Sequence, residues 1–244
     1  TVNTKDKTIY ISEWIKNYSL KNNISTLVIG ISGGIDSAVT STLSAKTGLK
    51  TIVVSMPILD HQILNQRGTN HIKWLKDNFT NVESIDVNLS DVFSSFKSAL
   101  DNNDSEHGYA NSQARLRMTT LYQIAASNNG IVVGTGNKVE DFGIGFYTKY
   151  GDGGVDISPI ADCLKTEVWD MAKELGINQE IIDAPPTDGL WNDGRTDEDQ
   201  VGLSYEEIEE AMLNENSINR KKYLEIRSKS LHKMDPIPVC TIPK

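Results

Sequence analysis

The chain has 244 residues and 27.0 kDa, and 24 Lys and Arg against 33 Asp and Glu leave a net charge of −9 and a pI near 5.0. That balance argues against a general nucleic-acid binder, whose affinity rests on Lys and Arg neutralising phosphates. Cys163 and Cys240 are too few and too isolated for a disulfide framework or a zinc site. The longest apolar runs, five or six residues, fall far short of the ~20 needed to span a membrane. No charged-then-apolar leader opens the chain and its initiator Met is missing, as in a trimmed chain, so the expectation is one domain, 1–244, in the cytoplasm.

Residues 4–22 space Ile9, Trp14, Ile15 and Tyr18 on one helical face. Residues 26–31 are a continuous apolar run, the pattern of a buried parallel strand, and pass through Ser32-Gly33-Gly34-Ile35-Asp36-Ser37 into a helix over 38–46 closed by Gly48. The alternation repeats: strand 51–56 stopped by Pro57, helix 61–78, strand 82–87, helix 91–100, a polar break at 101–107, helix 109–127 and strand 130–134. Such alternation predicts an α/β fold, a doubly wound parallel sheet with helices on both faces. The remainder predicts helices at 164–175 (ended by Gly176), at 204–213 behind the capping box Ser204–Glu207, and at 217–231. Between them lie two loops rich in Gly and Asp, 143–156 and 188–202; the second has the composition of a mobile lid. Met56, Trp74, Trp169 and Met171 are expected in the core.

Where the first strand hands over to its helix, backbone N–H groups and the positive end of the helix dipole are free to meet an anion. Gly33 and Gly34 let the backbone approach closely, and Ser32 and Ser37 add hydroxyl donors. Asp36 in the mouth of an anion site is repulsive unless a cation such as Mg²⁺ bridges it to phosphates. The segment is neither G-x-x-x-x-G-K-[ST] nor G-x-G-x-x-G, which disfavours a P-loop NTPase and a dinucleotide-type Rossmann site. Gly134-Thr135-Gly136-Asn137-Lys138-Val139-Glu140 follows the fourth strand, at the edge where α/β ligand sites lie, and Glu140 is a natural second carboxylate for that cation. The loop Phe146 to Asp156 crowds aromatics, Lys149, glycines and aspartates together, which suits a site holding a ring and a charged ligand.

S-G-G-x-D-S after the first strand resembles the pyrophosphatase loop of the N-type ATP pyrophosphatases, which adenylate a substrate oxygen and let a nucleophile displace AMP. The G-T-G-N-x-x-E stretch and the 146–156 loop resemble the ammonia-dependent NAD synthetase family. So do Ala114-Arg-Leu-Arg-Met118, Ser158-Pro-Ile160 leading to Leu164-Lys165, Ala184-Pro-Pro-Thr-Asp-Gly-Leu190, and His232-Lys233, together covering about residues 26–233. The resemblance implies an adenine nucleotide alpha hydrolase-like fold and a homodimer. It implies ATP, Mg²⁺, ammonia and deamido-NAD (nicotinic acid adenine dinucleotide) as ligands.

By that resemblance Gly30, Ile31, Ser32, Gly33, Gly34, Ile35, Asp36 and Ser37 hold ATP phosphates, with Thr135, Lys165 and Thr187 as further ATP contacts. Asp36 and Glu140 bind Mg²⁺; Arg115, Lys149, Asp152, Asp156, His232 and Lys233 contact deamido-NAD. Asp36, Lys165 and Asp152 form the catalytic set, with Asp152 near the nicotinate and the incoming ammonia. Two departures stand out. The stretch 55–62 lacks an arginine often found near that turn, and Asp141-Phe-Gly-Ile144 is one residue longer than in some relatives. The expected chemistry is attack of the nicotinate carboxylate on the α-phosphorus of ATP, then of ammonia on the acyl-adenylate, with no protein nucleophile. The alternatives are another adenylating ligase, of the GMP-synthetase or tRNA-modifying kind, and a non-catalytic nucleotide sensor, which would not need Asp36 paired with Glu140.

Overall fold

The computed structural model describes residues 2–58 and 62–244. Helix α1 (Thr4–Lys21) leads into β1 (Thr26–Gly30), α2 (Ile35–Ala45), β2 (Lys50–Ser55), α3 (Gln62–Asn78), β3 (Val82–Asp86), α4 (Ser90–Ala99), α5 (Glu106–Ser127) and β4 (Gly130–Val132). The strands pair in parallel in the order β3-β2-β1-β4. The chain thus winds outward from β1 to β3 and then returns to the other side of β1. That reversal opens a crevice beyond the carboxyl ends of β1 and β4, the usual ligand position in such sheets.

Alternation along β1 sorts the core. Leu27 and Ile29 pack with Ile15 of α1 and Val39 and Leu43 of α2, while Val28 faces the opposite layer with Phe93 of α4 and Ala125 of α5. Both faces are covered at β1, so its residues are buried almost throughout, whereas the edge strand β3 exposes Glu83, Ser84 and Asp86 in part or whole.

Past β4, a π-helix (Val139–Ile144) precedes α6 (Lys165–Leu175), α7 (Gln179–Asp183), α8 (Asp197–Val201), α9 (Tyr205–Leu213), α10 (Arg220–Ser228) and α11 (Leu231–Met234). The π-helix takes in residues 141–144, the segment expected to be one residue longer than in some relatives. Such widened turns gather at functional sites. Helix α6 buries Val168 and Met171 completely, each worth roughly 1.5–3 kcal/mol of apolar burial. Its start is fixed where the Leu164 N–H donates to Glu167 and its end by Gly176 in the left-handed region.

Three expectations need correction. The fourth strand ends at Val132, and only a single bridge, Val133 to Ile157, continues it. The helix expected over 217–231 is two helices, α10 and α11, broken around Ser230. The stretch 188–202, expected to hold no packed element, contains α8: Thr196 caps it through the Asp199 N–H, the Asp197 N–H donates to Pro186 at 2.8 Å, and Trp191 donates to Gln200 at 3.2 Å. The expected helix start at His61, and residues 59–61 of the stretch 55–62, lie outside the described residues.

Candidate active site

The loop from Gly30 to Ser37 joins β1 to α2, with Gly34 as the residue capping the helix. Gly33 has φ +86°, and a Cβ there would lie 2.2 Å from the Leu64 carbonyl oxygen of α3. Only glycine meets both conditions. Inside the loop the Ser32 N–H donates to Ser37 Oγ at 3.1 Å and the Gly34 N–H to Ser32 Oγ at 3.2 Å. The hydroxyls thus hold the loop shape before any ligand arrives.

Asp36, in the first turn of α2, meets Lys165 from the start of α6, Nζ to carboxylate 2.7 Å. The same ammonium is 3.9 Å from Glu140 of the π-helix. Lys165 is 2% exposed, over the ring of Tyr205 at 4.8 Å. Burial alone would depress its pKa, but Asp36 and Glu140 outweigh that and hold it above the usual lysine range. Asn137 ties the Asp36 carboxylate to the backbone of the π-helix: its Nδ2 donates to Asp36 at 3.3 Å and its Oδ1 accepts from the Glu140 N–H at 3.1 Å.

Two carboxylates aimed at one buried cation are a hard-oxygen pair of the kind Mg²⁺ takes. Among the described residues no cluster of three or more His, Cys, Asp or Glu could hold a metal, so a cation here would complete its shell with phosphate oxygens and water. The arrangement fits the expected ion on those terms.

A third carboxylate stands behind this pair. The Tyr205 hydroxyl is 2.8 Å from Asp197 and 3.1 Å from Glu140. A phenol has one proton, so satisfying both contacts requires a protonated carboxyl on one side. Burial, with Asp36 next, pushes Glu140 well above the ordinary carboxylate range, and burial raises Asp197 to about 6. Asp141 rises to about 6 for the same reason, with Asp152 and Asp36 adding repulsion.

Three cavities meet around this cluster. An apolar one beneath the carboxyl ends of β1 and β4 is lined by Met56, Leu121, Val132, Val133 and Val155. A second runs over the loop 32–37, Glu140, Lys165 and Thr187. A third carries Arg115, Lys149, His232 and Lys233. Asp152 borders all three. Its carboxylate accepts from the Thr148 N–H at 2.7 Å; surrounding protein raises its pKa, while that bond acts in the opposite direction.

Thr135 lies where the first two cavities join. The Thr187 hydroxyl donates to the Arg195 carbonyl at 2.8 Å, tying the loop 188–202 to the second cavity. Arg115 donates to the Lys149 carbonyl at 3.0 Å, and Lys233 to the Tyr147 carbonyl at 2.6 Å, so two backbone bonds shape the basic cavity. Asp156 is not brought to these cavities within one chain. It is exposed and holds Tyr122 at 3.0 Å and the Val132 N–H at 2.8 Å. Of the four side chains expected in the core, Met56 also lines the apolar cavity and Trp169 sits edge-on to Tyr205, 6.3 Å between centroids.

The model of the NAD synthase family matches residues 8–236. The chain belongs to the NAD synthase family. The NH(3)-dependent NAD(+) synthetase of Carboxydothermus hydrogenoformans is 40% identical over 217 residues, 87% of this chain and 86% of that protein. A solved structure named as the NMN synthetase of Francisella tularensis is 32% identical with a TM-score of 0.90, covering 99% of this chain and all of that one. The NH3-dependent NAD synthetase of Campylobacter jejuni is 23% identical with a TM-score of 0.78, covering 98% of this chain, and carries the likeness of fold alone. The fold is adenine nucleotide alpha hydrolase-like, and within the NAD synthase family the chain is a ligase.

Sequence reasoning missed Asn137, Asp141, Arg117, Asp197 and Tyr205. Asn137 lay inside a quoted motif, and Asp141 beside Glu140 in the segment 141–144. Tyr205 and Asp197 carried no signal, because Glu140, the carboxylate that Tyr205 joins to Asp197, lies 65 residues before Tyr205.

Proposed function

We propose that this chain amidates deamido-NAD with ammonia at the expense of ATP, releasing AMP and pyrophosphate through an acyl-adenylate. The observation that carries the reading is the buried Lys165 ammonium held by Asp36 and Glu140, in a cavity continuous past Asp152 with the basic cavity. A sensor would need no such charge cluster behind its phosphate loop.

The apolar cavity suits the adenine, and the 32–37 loop, leading into the N-terminus of α2, suits the phosphates. Asp36 and Glu140 would hold Mg²⁺, which when bound neutralises charge on the departing pyrophosphate. Lys165 brings a positive charge to the same place and remains protonated across the working pH range. Arg115, Lys149, His232 and Lys233 offer cations to the diphosphate and carboxylate of the second substrate. Asp152 binds ammonium and takes its proton, freeing the nitrogen lone pair. Covalent catalysis through cysteine finds no support: Cys163 is buried, with its thiol pushed up to about 11 by burial. Asp156 is exposed and holds the part-buried Tyr122, and a second subunit of a homodimer would meet the dinucleotide there.

The likeness to the Francisella NMN synthetase favours a second reading, in which the acid amidated is nicotinic acid mononucleotide. Pyrophosphate release with ATP, Mg²⁺ and ammonium, measured with each acid in turn, tests both. A higher kcat/KM for deamido-NAD supports the first reading, and a higher value for the mononucleotide supports the second. No release with either acid contradicts both.

A further inference from the structure

Arg117 follows Arg115 by two residues on α5, and the helix turns their side chains apart. Arg115 stays exposed, whereas Arg117 points inward and its Nε donates to the Met56 carbonyl at 3.0 Å. That bond fastens the guanidinium just past the carboxyl end of β2. The terminal nitrogens keep four N–H donors. Among the described residues none of these has a hydrogen-bond partner, and no carboxylate lies within 4.0 Å of the group. Burial alone pulls its pKa down to about 10. A desolvated cation without a counter-ion is costly, and a bound anion would remove that cost.

The place of the group says which anion. Arg117, Ser32, Thr135, Asp152 and Asp188 all line both the apolar cavity and the phosphate cavity, so they mark the seam between the two. A nucleotide with its base in the first cavity and its outer phosphates over the loop crosses that seam with its ribose and α-phosphate. Lys165 is tied to Asp36 at the far end of the loop.

We propose that Arg117 binds the α-phosphate of the nucleotide, an inference that rests on the ligase reading. In the first step a carboxylate oxygen of the acid forms a bond to the α-phosphorus. The bond from that phosphorus to the pyrophosphate oxygen breaks, and its electron pair leaves with pyrophosphate. Two anions approach each other in that step, and a planar guanidinium can hold two phosphate oxygens while offsetting the repulsion. When ammonia then displaces AMP, the same group keeps the phosphate it already holds.

Calorimetric titration of the full chain with adenosine, AMP and Mg²⁺–pyrophosphate separates this role from a structural one. For Arg117→Met the expected result is AMP binding at least tenfold weaker, about 1.4 kcal/mol, with adenosine and pyrophosphate within about twofold of wild type. Arg117→Lys, which keeps the charge and loses the fork, should fall between, and it serves alone if the methionine variant does not fold. Unchanged AMP affinity, or adenosine and AMP weakened equally, overturns the assignment. A wild type that shows this AMP dependence on Arg117 but makes no amide product contradicts the ligase reading and leaves Arg117 in place.

Discussion

The Tyr205 hydroxyl stands 2.8 Å from an Asp197 oxygen, and the same hydroxyl reaches Glu140 at 3.1 Å. The phenol therefore couples α8 and α9 to the carboxylate that faces Lys165. Replacing it with Phe leaves two buried carboxyl groups without that partner, while the other Asp197 oxygen is already unpartnered. The expected cost is about 1–3 kcal/mol, read as a lower denaturation midpoint with the slope unchanged. A Tyr205→Phe protein as stable as wild type would show that the contact carries no weight.

Asp197 gives a pH dependence with a definite sign. Its folded pKa is raised to about 6, above the ordinary carboxylate value, so between about pH 4 and pH 6 the folded chain binds more protons than the unfolded one. Its contribution is full below that window and is lost as pH rises through it, about 2–3 kcal/mol by linkage. Asp197→Asn cannot ionise, so without divalent metal its stability relative to wild type should rise from pH 4 to pH 7. A difference flat with pH would remove Asp197 as the source.

Gly33 and Gly34 should respond differently to alanine. At Gly33 a methyl group meets both φ +86° and the Leu64 carbonyl, so Gly33→Ala should cost at least about 2 kcal/mol and abolish nucleotide binding. At Gly34 the backbone is ordinary and the nearest atom is Ser32 Oγ at 3.3 Å, so Gly34→Ala should fold normally. Thermal melting of the pair checks this, and equal losses would count against the loop geometry.

The strand–loop–helix unit was legible because its signals are local: an apolar run, two glycines and a helix start in adjacent residues. The Asp36–Lys165 pairing spans 129 residues, and resemblance alone brought the two into one site; composition and spacing could not. Arg117 sat in plain view in Ala114–Met118. Which of its two arginines points inward depends on helix phase against β2, which spacing does not reveal. Asp156 shows the reverse case, a motif residue that within one chain pins β4.

Asp152 should govern how the rate follows pH. Neutral ammonia drawn from solution would make the rate at limiting total ammonium climb with a slope near one from about pH 7 to about pH 9. A carboxylate that binds ammonium and takes its proton flattens that climb. Wild type should therefore show the shallow profile and Asp152→Asn the steep one. Steep profiles in both would take Asp152 out of the proton transfer.

The acyl-adenylate leaves an isotopic record. With ¹⁸O in the carboxylate of deamido-NAD, attack on the α-phosphorus moves one labelled oxygen into AMP, because ammonia later expels AMP with that oxygen attached. Mass spectrometry of the products should find the label in the AMP phosphoryl group and none in pyrophosphate. Label in pyrophosphate, or AMP without label alongside the amide product, would contradict adenylation at this site.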